Sequence, residues 1–254
     1  MPTRSLPVRS LADVSVWTSV RPCFRLTSRN YSTAAGWANW LFGHLAPASL
    51  FAWLFVAQTL NLIDLIARSS QTPSAHGPLL GWMITQRLLS MCLVGLVTIL
   101  YLIRTEPVAR QPWSVSSAVA LAGTWILAVR IWLPAANPSL DLILPSILLL
   151  AAGNVLALTS LAYLGRRFAI LPEARGLITE GPYRWIRHPI YVGEIIAALG
   201  ALLPEITLYV LVLLGIFVGL QHWRSMNEEQ VLRAAFPTYQ AYAVHTRRFV
   251  PGLY

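Results

Sequence analysis

Hydrophobic residues along this chain gather into six long runs separated by short polar segments. The runs cover about residues 48–66, 80–103, 114–133, 140–164, 189–203 and 206–222. The first four are close to the ~20 residues that cross a hydrocarbon core of ~30 Å at 1.5 Å per helical residue. The fifth is shorter and stops before Pro204, and the sixth begins two residues later, which predicts a tight helical hairpin. The pattern predicts an all-α integral membrane helical bundle of about six apolar segments. It divides the chain into a polar arm (1–38), a part with the first four runs (39–163) and a C-terminal region with the hairpin (164–254).

Composition agrees. Hydrophobic residues make up 56% of the chain and charged ones 11%, against about 25% charged in soluble domains. The net charge is +9, and all nineteen basic residues are arginine, which fits a coding bias. A nucleic-acid partner would need a basic patch on a soluble face, and the arginines instead sit between apolar runs. With the N-terminus inside, the segments 1–35, 104–112, 165–187 and 224–254 hold sixteen of the nineteen. That bias predicts a multi-pass protein with both termini and the 165–187 loop in the cytoplasm, where anionic lipids attract arginine.

Five ionisable residues lie within the runs: Asp64, Arg87, Arg130, Asp141 and Glu194. Such groups are costly in lipid and face the bundle or pair with one another; Asp64, Arg130 and Asp141, near run ends, can also snorkel. The two cysteines, Cys23 and Cys92, form neither a disulfide framework nor a metal-ligand spacing, and Cys92 is expected to be buried. The arm (1–38) has five arginines and one acid, Asp13. It reads either as a flexible cytoplasmic arm or as a transit peptide with a cleavage site near Arg29-Asn30-Tyr31-Ser32.

Chemistry concentrates near the C-terminus. Gly181-Pro182 reads as a turn leading to a helix that starts at His188-Pro189, where proline is favoured because its missing N–H has no helical partner. The open N–H groups of that first turn suit an anion. His188 and Tyr191 share a face, and Gly193 admits a close ligand or helix. At the end of the sixth run, Gln221, Arg224 and Glu228 share another face. A tail follows with Phe236-Pro237-Thr238-Tyr239, Tyr242 and Arg247-Arg248-Phe249. Individually these residues also fit plain roles: His188 as a helix cap, Tyr183 and Trp185 as interfacial aromatics, Arg184 and Arg187 as topology signals, Glu228 as a partner of Arg224.

Three blocks in order, Gly-Pro-Tyr … Arg-His-Pro-x-Tyr-x-Gly, Arg-x-x-x-Glu-Glu and Phe-x-x-Tyr … Tyr, resemble the isoprenylcysteine carboxyl methyltransferase family and its bacterial relatives, the phospholipid methyltransferases, over about residues 164–252. The resemblance implies a cytoplasmic pocket for S-adenosyl-L-methionine lined by Arg175, Gly176, Leu177, Ile178, Tyr183, His188, Pro189, Ile190, Tyr191 and Glu228. Arg224 would face the acceptor and, with His188, carry the catalytic roles; no metal is implied. Phe168 departs from the better-known eukaryotic members of that family, where a polar residue is expected. The implied partners are membrane lipids and a lipid-like small-molecule acceptor, a carboxylate above all, in a protein fitting a bacterial inner membrane. Other readings remain open: a phospholipid or amine N-methyltransferase, an NADPH-dependent reductase of the sterol-reductase type, or a non-catalytic membrane protein with the same fold. Nothing in the pattern bears on oligomeric state.

Overall fold

A computed structural model describes residues 25–26, 45–71, 73–110, 114–132 and 137–251. Each apolar run folds as a helix: α1 (Ala46–Gln71), α2 (Pro73–Ile103), α3 (Val115–Trp125), α4 (Ile143–Leu164), α5 (Pro189–Leu202) and α6 (Leu208–Ala235), with a short α7 (Tyr239–His245) after them. Four of these stretches, Ala46–Ser70, Leu80–Ile103, Leu140–Arg167 and Leu208–Ala235, are long and apolar enough to cross a membrane. The third and fifth runs are shorter as helices. α3 tightens into 3-10 geometry over Ile126–Trp132, and α5 has 14 residues, roughly 21 Å at the helical rise.

Helix ends follow local chemistry. α4 stops at Gly165, whose φ of 52° is open to glycine. Pro189 opens α5. Thr207 caps α6, its hydroxyl accepting from the Val210 N–H. α6 then runs thirteen residues past the apolar run and ends at Phe236, the residue before Pro237.

Small residues set the closest packing. Gly153 and Ala157 of α4 face Gly193 of α5, where an added methyl would lie 2.7 Å from both the Ala157 nitrogen and the Gly153 oxygen. Gly193 therefore admits a neighbouring helix, and α5, although joined to α6 by the short 203–207 turn, packs mainly along α4. In lipid, where apolar side chains gain little from meeting each other, such backbone approach is a main source of helix association. Polar pins add to it. Ser146 of α4 accepts from the Trp82 indole of α2 (2.8 Å) and donates to the Gly200 carbonyl of α5 (2.5 Å). Phe51, Leu100, Tyr101, Leu161 and Phe168 form an aromatic-rich core.

The outer faces are apolar. Trp53, Leu60, Leu144, Leu148, Leu208 and Val212 all lie exposed, as lipid-facing side chains do. Cys92 is exposed on α2 too, contrary to the buried position expected; a small apolar thiol is as well solvated by lipid as by a core. Of the ionisable residues, Asp64 pairs with Arg68 (2.9 Å) and Arg130 with Glu205, across the turn between α5 and α6. Asp141 is exposed in the 3-10 turn before α4. Arg87 is half-buried without an ion pair among the described residues.

One end of the bundle also carries a small antiparallel ladder of two-residue strands: β1 (Arg25–Leu26), β2 (Ala109–Arg110) and β3 (Glu173–Ala174), in that order. It ties the segment after α2 to the 165–187 loop, as does Thr105, whose N–H donates to the Arg166 carbonyl (2.7 Å). At the opposite end the Ser139 N–H donates to the Pro204 carbonyl (2.8 Å). Apart from residues 25–26, the arm, with Cys23 and the candidate cleavage site, lies outside the described residues.

Candidate functional site

Between α4 and α5 the chain folds into a compact cap. Gly181, with φ of 57°, starts the 3-10 turn Gly181–Arg184. The C-terminal tail then docks beside it: the Arg187 N–H donates to the Arg247 carbonyl (2.7 Å) and the His188 N–H to the Arg248 carbonyl (3.1 Å). Under this cap, at the ladder end of the bundle, is a cavity of about 890 Å³ counting its open mouth.

Of the ten residues expected at a cofactor, nine line this cavity: Arg175, Gly176, Leu177, Ile178, Tyr183, His188, Ile190, Tyr191 and Glu228. Pro189 does not, because it is fully buried as the first residue of α5. Arg224 is in the wall as well, together with Glu194 and the tail tyrosines Tyr239 and Tyr242.

His188 is the N-cap residue of α5, yet its side chain makes no capping bond. The ring stacks on Tyr191 (5.5 Å, 7°), with Nε2 3.3 Å from Glu229 Oε1 and Nδ1 3.8 Å from Glu228 Oε2. The Tyr191 hydroxyl donates to Glu228. Glu228 thus faces the cavity through Tyr191 rather than pairing with Arg224. The Arg224 guanidinium lies over the Tyr191 ring (4.8 Å) and donates to Gln221 Oε1 (2.9 Å). Gln221 in turn donates to Glu194 Oε2 (2.5 Å), so the two deepest ionisable groups of α5 and α6 are linked through an amide. Among the described residues Arg224 Nε is buried without a partner, and its stem rests against Gly123 of α3.

Arg175, its side chain 1% exposed, bonds Glu173 through Nη2 (2.5 Å) and leaves Nε and Nη1 buried without partners among the described residues. Buried donors of this kind cost about 1–3 kcal/mol each unless something accepts from them, and they mark a place for an anionic or carbonyl group. Tyr239 also has a buried hydroxyl without a partner. Burial, reinforced by Glu228 and Tyr242, pushes the Tyr183 phenol well above its ordinary pKa, and burial raises that of Tyr242. Both are donors at neutral pH. Tyr242 uses its proton on the Tyr183 carbonyl (2.6 Å).

Glu229 was not among the expected site residues. It is 1% exposed and accepts from Arg187 (3.0 Å), Arg233 (2.9 Å) and both Nε and Nη2 of Arg248 (2.9 and 3.0 Å). Arg187 also holds the Ala243 and Thr246 carbonyls. It is therefore a clamp between loop and tail, beyond any part as a topology signal, whereas Arg184 and Trp185 remain exposed and stacked on each other (5.9 Å). The signal available in the sequence was charge balance: among residues 224–254, four arginines share only Glu228 and Glu229. Phe168 packs edge-on against Tyr101 (5.7 Å) and belongs to the aromatic core.

Residues 142–238 match the family model of phospholipid methyltransferases. Over 99 residues the chain is 34% identical to the cobalt-zinc-cadmium resistance protein CzcN of Cupriavidus metallidurans, covering 37% of this chain and 46% of that one. Over 79 residues it is 37% identical to the nickel-cobalt-cadmium resistance protein NccN of Alcaligenes xylosoxydans, covering 30% and 37%. The chain thus spans less than half the length of the curated relatives it matches. A solved structure of the eukaryotic intramembrane Ras methyltransferase, an isoprenylcysteine carboxyl methyltransferase, aligns over 87% of each chain at 15% identity and a TM-score of 0.44. The family match takes in α4, the 165–187 loop, α5 and α6, so over residues 142–238 the chain is similar to the phospholipid methyltransferases, within a helical membrane protein.

Proposed function

We propose that this protein is an S-adenosyl-L-methionine-dependent methyltransferase acting on a lipid-like acceptor, with a carboxylate as the favoured nucleophile. The observation that carries this reading is one cavity, at the polar end of apolar helices, that holds both Arg224 and Glu228. The donor set suits the cofactor. Arg175 has two open donors for its carboxylate, Glu228 offers an acceptor for a cationic or hydroxyl group, and Leu177, Ile178 and Ile190 supply apolar wall for a purine. When bound, the cofactor supplies an electrophilic methyl group for in-line displacement. The protein's part is to position and desolvate the reactants. A carboxylate acceptor has no proton to lose, so the site needs an anion holder more than a base, and Arg224 fills that part.

An amine acceptor is the second reading, favoured by the family match and by His188. With Nε2 held against Glu229, its Nδ1 is turned toward Glu228 and can take a proton from the cavity.

Binding of S-adenosylhomocysteine to the purified protein tests the proposal, with NADP as the comparison. Tyr191→Ala and Glu228→Ala are each expected to weaken that binding about tenfold or more, the equivalent of one lost contact at 1.4 kcal/mol per decade, while the protein stays folded in detergent. Unchanged affinity in both, or preferential binding of NADP, would refute it.

We read both termini as cytoplasmic, in a bacterial inner membrane. The arginine bias supports this, as does the gathering of the 104–110 and 165–187 segments at one end. Accessibility tags at residues 1 and 254 should report the cytoplasmic side; tags on opposite sides would overturn the orientation.

A further inference from the structure

α3 lies outside the region that matches the phospholipid methyltransferases, yet it packs along α6 and meets the site directly. Gly123 is buried against Arg224: a β-carbon there would lie 2.6 Å from Arg224 Cδ and 3.5 Å from Gln221 Oε1. Neither partner can step aside freely. The Arg224 head group is fixed by Gln221 and by the Tyr191 ring. α3 is braced two residues further on, where Trp125 stacks on Phe51 (5.9 Å) and Phe51 on Tyr101 (5.7 Å). In a close-packed interior an added methyl must displace something, and here the displaced group is the arginine stem.

We infer that Gly123 is a positioning residue for Arg224, so that α3 is part of the acceptor machinery and not only a membrane anchor. The absent side chain at 123 lets the arginine stem lie flat against α3, while its Nε stays buried without a partner among the described residues. This rests on the methyltransferase reading above. Any acceptor anion held by Arg224 is then held at a height set by the α3–α6 contact.

The test is a double-mutant cycle on the full-length protein. It reads transfer of labelled methyl from S-adenosylmethionine into a total membrane lipid extract supplemented with palmitate and phosphatidylethanolamine, alongside S-adenosylhomocysteine affinity. Gly123→Ala is expected to lower transfer about tenfold with cofactor affinity changed less than about twofold. In an Arg224→Ala background the same substitution should change transfer by less than about twofold, since the shortened side chain vacates the space. Leu121→Ala, on the exposed face of α3, should have no effect in either background. Multiplicative losses, or a Gly123→Ala protein with undiminished transfer, would overturn the assignment while leaving the methyltransferase reading intact. An unmodified protein that neither binds S-adenosylhomocysteine nor transfers methyl would defeat that reading first, and the role of Gly123 with it.

Discussion

Glu229→Ala is expected to destabilise the folded protein by about 3–5 kcal/mol, the usual cost of removing one partner from a buried ionic cluster. The carboxylate is 1% exposed, and Arg187 and Arg248 beside it are only 12% and 14% exposed. Without it, two guanidinium groups are left facing each other with little water to screen them. Arg233 is half in solvent and contributes little. Glu229→Gln should be nearly as damaging, because the amide keeps the volume but loses the charge and turns a donor toward the arginines. The lesion has a place as well as a size. The tail is held to the loop by Arg187 and Arg248 through Glu229, and His188 leans on the same oxygen. Trypsin should therefore cut after Arg247 and Arg248 much faster in both variants, and the melting temperature in detergent should fall. S-adenosylhomocysteine affinity should fall with them, as His188 loses its support. Unchanged melting and an unchanged tryptic pattern in both variants would show that the cluster does not hold the tail.

The helices were legible in the sequence and the ion pairs were not, for a physical reason. Lipid selects composition residue by residue, so α1, α2, α4 and α6 announce themselves as uninterrupted apolar runs. The start of α5 was equally plain, since Pro189 suits one position in a helix. The far end of α6 was harder: from Gln221 on, the helix is held by polar and ionic contacts of Gln221, Arg224 and Glu229 with other segments. Such contacts depend on which segments meet, and that is set by the small-residue seam between α4 and α5, whose glycines carry no marker of their partner. For the same reason Arg130 found Glu205, seventy-five positions away, and Glu229 was passed over beside Glu228. The cavity wall was legible because nine of its residues cluster in short stretches, 175–178 and 183–191, with Glu228 on α6. The exception, Pro189, belongs to the block by sequence but to the helix backbone by function.

Arg224→Lys should cost nearly as much activity as Arg224→Ala, a fall of about thirty- to a thousandfold in turnover, corresponding to roughly 2–4 kcal/mol for a lost preorganised contact to the reacting group. The guanidinium already spends one nitrogen on Gln221 and one face on Tyr191, and it keeps Nε buried and without a partner. A carboxylate acceptor can take that edge through two parallel hydrogen bonds. Lysine retains the charge but has neither the fork nor the flat face, so it loses both the acceptor geometry and the Tyr191 stack. Glu194 lies 4.0 Å from the Arg224 guanidinium, and Arg224 is 5% exposed. Cofactor affinity should change little in either variant, because Glu228 and Arg175 are left in place. The discriminating measurement is turnover with a lipid carboxylate and with a lipid amine, in wild type and in both variants. Loss confined to the carboxylate, with lysine as poor as alanine, supports an anion-holding arginine. A fully active Arg224→Lys enzyme, or wild-type protein that methylates only the amine, would remove Arg224 from that part and shift the chemistry to His188, whose Nδ1 already faces the Glu228 carboxylate.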